Sequence, residues 1–146
     1  MKIKKLDPNA TLPKYGSEYA AGADLYACID QGEKEILIAP GETKLIHTGI
    51  AMEIPQGFVG LVYARSGLAT KRGLAPSNKV GVIDCDYRGE LMVSLYNQSG
   101  ETQKVEHGER ITQLVITPYI TVEFEEVDEL SETVRGEGGF GSTGTK

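Results

Sequence analysis

The sequence predicts an all-β fold, a sandwich or barrel with one short helix and a flexible, glycine-rich C-terminal arm. Short apolar runs recur at intervals of roughly ten residues, and glycine or proline separates each run from the next. No segment keeps a 3.6-residue apolar period over the length of an ordinary helix. A chain of 146 residues is one domain by size and is long enough to bury a core.

The predicted strands end at turn signals. Residues 36–38 end before Pro40-Gly41, a pair typical of a type II turn, and residues 44–54 end before Pro55. Alternating apolar and polar side chains at residues 121–127 predict a further strand with one exposed face. The other predicted strands lie at residues 58–63, 80–83, 91–96 and 111–117.

The one predicted helix covers residues 66–72. Ser66 is placed to cap its first turn, and Gly73 suits the left-handed residue that ends many helices. Farther along the chain, a polar tip between two apolar runs predicts a hairpin over residues 79–93. Asp84 stands where apolar strand meets turn, so we expect its carboxylate to be partly buried.

Charge and composition narrow the function classes. The net charge is −6, so non-specific binding to nucleic acid is not expected. No apolar run approaches the roughly twenty residues of a membrane helix, and no signal-like apolar stretch follows the first lysines. The two cysteines and two histidines are isolated and form no zinc motif, and a cytoplasmic location is expected.

Residues 135–144 read Arg-Gly-Glu-Gly-Gly-Phe-Gly-Ser-Thr-Gly, and half of them are glycine. Glycine loses the most conformational freedom on ordering, so such an arm should be mobile when free. Arg135, Ser142 and Thr143 are residue types that bind phosphate, and Phe140 offers an aromatic face. The segment is either an arm that orders over a phosphorylated, aromatic ligand or a frayed terminus of low complexity.

Four further segments carry candidate functional residues, each with an ordinary structural alternative. Asp24 lies among small residues and is either a site carboxylate or a turn aspartate. The segment Arg65-Ser66-Gly67 begins the predicted helix. Either the backbone N–H groups at this helix start bind a phosphate, or Ser66 only caps the helix. Asp84 and Tyr87 both lie in the predicted hairpin. They are either an oriented carboxylate and an aromatic face of a site, or ordinary turn residues. Gln113 interrupts an apolar strand, and its amide either has a specific hydrogen-bond partner or faces solvent.

In this order, the five segments resemble the five motifs of the trimeric dUTP pyrophosphatases (dUTPases). The resemblance covers residues 21–144, and its most specific parts are GVIDCDYRGE at residues 81–90 and RGEGGFGSTG at residues 135–144. The sequence departs from the family at Ala64, where proline is frequent, and Cys85 stands at a variable position. Neither departure touches a proposed chemical group.

The resemblance implies a jelly-roll-like β-barrel at residues 1–134 and a mobile arm at residues 135–146 that closes over the active site. It also implies a homotrimer with three shared sites, in which Phe140 stacks on uracil. The implied reaction is Mg²⁺-dependent hydrolysis of dUTP to dUMP and pyrophosphate, which supplies dUMP for thymidylate synthesis and keeps uracil out of DNA. Magnesium fits, because it is usually held mainly by substrate phosphates.

The same resemblance implies a role for each candidate residue. Asp84 would activate the water that attacks the α-phosphorus, Ser66 would contact the α–β bridge, and Gln113 the α-phosphate or a metal-bound water. Asp24 would act on magnesium indirectly, through water, and Tyr87 would pack on deoxyribose and exclude a 2′-hydroxyl. The implied substrate-binding residues are Arg65, Ser66, Gly67, Asn78, Val82, Ile83, Asp84, Tyr87, Met92, Arg135, Phe140, Gly141, Ser142 and Thr143.

Three alternatives stay open at this point. A dCTP deaminase-like enzyme of similar barrel fold would release ammonia from dCTP. A nucleotide-gated regulatory binding protein would bind the nucleotide without an essential hydrolysis step. A structural jelly roll would leave the arm and Asp84 without a role. The resemblance implies neither a nucleic-acid nor a membrane partner.

Overall fold

The computed structural model describes residues 1–30, 32–33 and 35–139. Strands dominate it, with one short helix, so the all-β prediction is confirmed. In chain order the elements are β1 (Lys2–Lys5), β2 (Lys14–Tyr15), β3 (Ala23–Tyr26), β4 (Glu35–Ile38), β5 (Thr43–His47), β6 (Ile50–Glu53), β7 (Phe58–Ala64), α1 (Ser66–Arg72), β8 (Leu74–Pro76), β9 (Gly81–Ile83), β10 (Met92–Asn97), β11 (Gln103–Glu106) and β12 (Arg110–Pro118).

The described strands pair antiparallel and enclose one core. The largest sheet has the order β2-β3-β12-β7-β9, and a second has the order β5-β10-β8. Two further two-stranded sheets, β1-β6 and β4-β11, complete the barrel. Alternate side chains face inward, as a strand period of two requires. Burial of each large aliphatic side chain contributes roughly 1.5–3 kcal/mol; the fully buried ones include Leu25, Ile38, Ile46, Leu95 and Ile111.

Helix α1 has the predicted bounds but not the predicted N-terminal cap. Arg65 is the N-cap residue, in an extended conformation and with no side-chain capping bond. Ser66 is instead the first helical residue, and it is exposed. Gly73 ends the helix as predicted, with φ of +66° in the left-handed region. In the part of the chain that the structure describes, no helix has the length and apolar character needed to cross a membrane.

The predicted hairpin over residues 79–93 is wrong. Strand β9 pairs with β7, whereas β10 pairs with β5 and β8, so the two strands belong to different sheets. Each apolar run finds a partner distant in sequence, and the backbone N–H of Leu91 bonds to Ile50 O at 2.9 Å. Residues 84–90, hereafter the 84–90 loop, therefore carry the chain from one sheet to the other.

Two other strand predictions need correction. The run 44–54 is broken into β5 and β6 because Gly49, with φ of +68°, turns the chain between them. Residues 121–127 form no strand, although their side chains alternate. A strand needs a neighbour for its backbone hydrogen bonds, and residues 119–134 lie exposed beyond β12, with Phe124 96% exposed.

The two cysteines, Cys28 and Cys85, are free thiols. Cys28 is buried, and its burial, together with the nearby Asp7 carboxylate, raises the pKa of the thiol above its ordinary value. A thiol in that state stays protonated near neutral pH, so Cys28 packs as a small apolar side chain.

Candidate active site

A shallow pocket of about 230 Å³ lies between the 84–90 loop and strand β9. It holds five of the residues that the sequence singled out, together with Leu45 and Glu90. We call it the loop pocket, and its lining is Leu45, Val82, Ile83, Asp84, Tyr87, Glu90 and Met92. Strand β9 is the outer strand of its sheet, so one side of its backbone faces away from β7.

Asp84 is exposed at the end of β9, so the prediction of partial burial is wrong for the single chain. Its backbone carbonyl accepts from the N–H of Tyr87 at 3.2 Å, which begins the turn of the loop. The hydroxyl of Tyr87 donates to the backbone carbonyl of Glu90 at 2.9 Å. The ring lies so close over Gly89 that a Cβ there would come within 2.6 Å of the ring Cζ. A side chain at position 89 would displace the Tyr87 ring from this place.

A second pocket, of about 260 Å³, forms where β3, β12 and the start of α1 meet. It collects the polar residues predicted from the other motifs and adds Arg110. We call it the arginine pocket, and its lining is Gly16, Ala20, Gly22, Asp24, Arg65, Ser66, Gly67, Arg110 and Gln113.

Asp24 lies between two guanidinium groups in the arginine pocket. Its carboxylate is buried and accepts from Arg65 Nε at 2.7 Å and from Arg110 Nη1 at 3.2 Å. Arg65 also donates to the backbone carbonyl of Arg110 at 3.3 Å. Two positive groups and one carboxylate leave net positive charge, and each guanidinium has further N–H donors. The pocket is therefore suited to a phosphate anion.

Of the two alternatives left open for Gln113, the structure shows the specific partner. Its Nε2 donates to the backbone carbonyl of Ala64 at 2.9 Å, next to the start of α1. A Cβ at Gly22 would lie 2.6 Å from Gln113 Oε1, so a side chain at position 22 would displace the amide. The pair fixes the amide in the arginine pocket, with an oxygen that can accept from water.

Arg110 is the site residue that the sequence analysis missed. Strict alternation along β12 places it on the face opposite Gln113. A break in the pairing register with β3, between Arg110 and Thr112, turns its side chain toward Asp24 instead. Arg110 lies only three residues before Gln113, but the direction of its side chain is shown only by the observed bulge.

The single chain does not bring the two pockets together. Ile83 is paired with Gly60 on β7, and Arg65 lies five residues after Gly60, just past the end of that strand. At the rise of a β-strand this places the two pockets roughly 16 Å apart or more. Asn78 is exposed and lies outside both pockets.

Among the described arm residues, Arg135 lines neither pocket. Arg135 is exposed, and its Nε donates to the carbonyl of Gly138 at 2.8 Å. Phe140, Gly141, Ser142 and Thr143 lie outside the described residues. Within the described ranges, no three histidine, cysteine, aspartate or glutamate side chains are grouped as a metal site.

Known proteins match this chain over nearly its whole length. A family model described as dUTPase matches residues 8–144. A deoxyuridine 5'-triphosphate nucleotidohydrolase of Escherichia phage T5 is 52% identical, covering 100% of this chain and 99% of the relative. The enzyme of that name from Acinetobacter baumannii strain AYE is 47% identical, covering 99% and 97%.

Solved structures of phage enzymes share the fold. The dUTPase of Staphylococcus bacteriophage 80alpha, solved with dUPNHPP, has a TM-score of 0.83 and 32% identity, covering 98% of this chain and 97% of that one. A variant dUTPase from phage phi11 of S. aureus, described with a structural Mg(II) ion, has a TM-score of 0.75 and 27% identity, covering 88% and 96%. The architecture is the jelly-roll-like β fold that the sequence resemblance implied.

Proposed function

This chain belongs to the dUTPase family and hydrolyses dUTP to dUMP and pyrophosphate, and we propose that it does so in a homotrimer with shared sites. The observation that carries the proposal is the separation of the two pockets along β7. A water-activating carboxylate and the groups that bind the same α-phosphate must meet at one phosphorus. Asp84 and Arg65 are too far apart on one chain to do this, so each active site combines the loop pocket of one chain with the arginine pocket of another.

The segment after β12 supports the same assembly. Residues 119–134 are exposed and carry several large apolar side chains, among them Ile120, Phe124 and Leu130. Apolar surface of this extent on a soluble chain marks a place where another protein binds. We propose that this segment lies along a neighbouring chain of the trimer and delivers the arm, residues 135–146, to that chain's nucleotide.

The chemistry we propose is attack of water on the α-phosphorus, in line with the leaving pyrophosphate. Asp84 holds the water and accepts its proton, and its exposure at the end of β9 leaves the carboxylate accessible to that water. Ser66 Oγ donates to the oxygens around the α–β bridge, where the leaving-group charge develops. Arg65 and Arg110 bind the phosphates, while Asp24 holds both guanidinium groups in place.

Base selection follows from the outer edge of β9. We propose that the free side of that strand, where alternate residues leave their backbone N–H and C=O groups unpaired by β7, binds the Watson–Crick edge of uracil, with Val82 and Ile83 lining the pocket. Cytosine exchanges a donor for an acceptor at two edge positions, so it would leave buried groups unpaired. Met92 lines the same pocket. Asn78, which lies outside this pocket in the single chain, is proposed to add an amide contact from the preceding turn.

The proposed arm contacts complete the site. Phe140 stacks on uracil, and Arg135, Ser142 and Thr143 hold the β- and γ-phosphates, with Gly141 allowing the backbone to approach. Each arm closes over the nucleotide bound between two other chains. Closure removes water from the phosphates and strengthens each charged contact there.

Magnesium would be held by the triphosphate rather than by a cage of protein ligands. Both oxygens of Asp24 accept from arginines, so this carboxylate is suited to an indirect contact through water at most. Gln113 Oε1 is an oxygen acceptor of the kind that binds a metal-coordinated water. When bound, the ion would offset the charge of the phosphates, which allows a protein with a net charge of −6 to bind a triphosphate.

The proposed function predicts selective, magnesium-dependent turnover. We expect pyrophosphate release from dUTP to exceed that from dCTP, dTTP and UTP, and to fall sharply when a chelator removes divalent cations. A coupled pyrophosphate assay on the four nucleotides, with and without added magnesium, measures both effects. Turnover of dCTP at the rate of dUTP would contradict the base-selection proposal, and ammonia release from dCTP would indicate a deaminase.

A second prediction concerns the sugar. We expect Tyr87→Ala to narrow the ratio of kcat/KM for dUTP to that for UTP, because the ring, not a hydrogen bond, is proposed to exclude the 2′-hydroxyl. Tyr87→Phe separates the effect of the ring from that of its anchoring bond, since it keeps the ring and removes only the hydroxyl that bonds to Glu90. An unchanged ratio in Tyr87→Ala would show that another group reads the sugar.

A further inference from the structure

One carboxylate joins the 84–90 loop to the turn between β5 and β6. Glu90 Oε1 accepts from the backbone N–H of Gly49 at 2.7 Å, and its Oε2 lies 2.9 Å from Nδ1 of His47. The Glu90 side chain is 20% exposed, whereas that of His47 is 58% exposed. The contact with Gly49 is therefore the better shielded of the two, and the exposed contact with His47 adds little.

The turn to which Glu90 is bound is itself firmly held. Gly49 adopts a left-handed φ of +68°, and its carbonyl accepts from the N–H groups of Leu6 at 2.7 Å and Asp7 at 3.2 Å. A Cβ at this position would lie 2.8 Å from Ala10 Cβ. Gly49 cannot move toward or away from Glu90 without disturbing the N-terminal segment, so it is a fixed point for the loop.

The backbone of Glu90 makes the contact that orients Tyr87. Its carbonyl accepts from the Tyr87 hydroxyl at 2.9 Å, while Gly89 lies beneath the ring. The same residue thus holds the tyrosine through its main chain and the Gly49 turn through its side chain. It also lines the loop pocket.

We propose that Glu90 is a positioning residue for deoxyribose selection, which fixes the 84–90 loop on Gly49 and so sets the place of the Tyr87 ring. The proposal rests on the proposed role of Tyr87 at the sugar. Without the carboxylate, the loop keeps its internal bonds but loses the hydrogen bond from the backbone N–H of Gly49. The ring then samples positions that admit a 2′-hydroxyl.

The rest of the barrel does not depend on this carboxylate. The backbone N–H of Leu91 still bonds to Ile50 O at 2.9 Å, and the hydroxyl of Thr48 still donates to Leu91 O. Strand β10 stays paired with β5 from Met92 onward. A Glu90 variant is therefore expected to fold, with its disturbance confined to the loop.

Glu42 offers a matched control that lines neither pocket. Its carboxylate makes the same two kinds of contact, accepting from the backbone N–H of Ala39 at 2.8 Å and pairing with Lys44 at 2.7 Å. The hydrogen bond from Lys44, with that from Ala39, lowers the pKa of the Glu42 carboxyl. Glu42→Ala removes a comparable turn contact without touching the loop.

The experiment compares Glu90→Ala, Glu90→Gln and Glu42→Ala with the parent enzyme. We expect Glu90→Ala to narrow the dUTP:UTP ratio of kcat/KM by about tenfold, the size of one lost hydrogen bond to a charged group. Glu90→Gln keeps an oxygen acceptor for Gly49 and should recover most of the ratio. Glu42→Ala should lower the melting temperature about as much as Glu90→Ala does, but it should leave the dUTP:UTP ratio unchanged.

Amide hydrogen exchange without nucleotide provides a readout independent of catalysis. Exchange in the 84–90 peptide should accelerate in Glu90→Ala and not in Glu42→Ala. If neither exchange nor the ratio changes in Glu90→Ala while Tyr87→Ala alters the ratio, the inference is overturned and the proposed function stands. If Tyr87→Ala leaves the ratio unchanged, Tyr87 does not select the sugar, and the role of Glu90 in sugar selection is overturned as well. Hydrogen exchange then tests only whether Glu90 holds the loop.

Discussion

Asp84→Asn is expected to lower kcat for dUTP by a factor of about 10²–10⁴, the usual contribution of a general base. The amide has nearly the volume of the carboxylate but cannot take a proton from the attacking water. The side chain is exposed, and the loop bond at this position uses the backbone carbonyl, so the fold should be unaffected. Loss of one negative charge near a triphosphate should leave nucleotide binding as tight as in the parent or tighter.

Two measurements separate the chemical effect from a binding effect. Steady-state kinetics give kcat and KM, and calorimetry with a non-hydrolysable dUTP analogue gives the dissociation constant. Asp86→Asn is the matched control. Asp86 lies two residues after Asp84, is also exposed and does not line the loop pocket, so this change removes the same charge without touching the proposed site. If Asp84→Asn hydrolyses dUTP near the parent rate, Asp84 is an ordinary turn residue and another group activates the water.

The fold was predictable where its signals are local. Proline and glycine end β4, β6 and β12 within a few residues of the predicted positions, and Gly73 ends α1 as predicted. Strand pairing is not local, which is why the hairpin at residues 79–93 was wrong. The run before Asp84 pairs with β7 and the run after it pairs with β5 and β8, and no pattern within those residues distinguishes these partners from each other.

The site was predictable by residue type more than by arrangement. The motifs identified Asp24, Arg65 and Gln113, and the structure brings these three together in the arginine pocket. They did not identify Arg110, because the bulge that redirects it depends on how β12 pairs with β3. Nor does the sequence show that Glu90 is bound to Gly49, a contact across 41 residues.

Removal of residues 135–146 is expected to reduce kcat/KM for dUTP by about 10²–10³, the cost of losing a donor to a developing charge. The arm is proposed to supply Arg135 and two hydroxyls to the phosphates, and its closure would exclude water. The melting temperature should change little. Arg135 and Gly138 bond to each other and Gly136 to Thr133, contacts that are local to the segment rather than to the barrel.

Single substitutions within the arm measure how much each side chain contributes to the loss of kcat/KM expected on truncation. Phe140→Ala should be milder than the truncation, since stacking of a base on an aromatic ring is worth about 1–3 kcal/mol. Arg135→Lys keeps the charge but not the paired donors of a guanidinium, so it should fall between the parent and the truncated enzyme. Protease cleavage at Gly138-Gly139 should slow when magnesium and a non-hydrolysable dUTP analogue are added. A truncated enzyme with full activity would show instead that the arm is a passive terminus, and the phosphates would then be held by the arginine pocket alone.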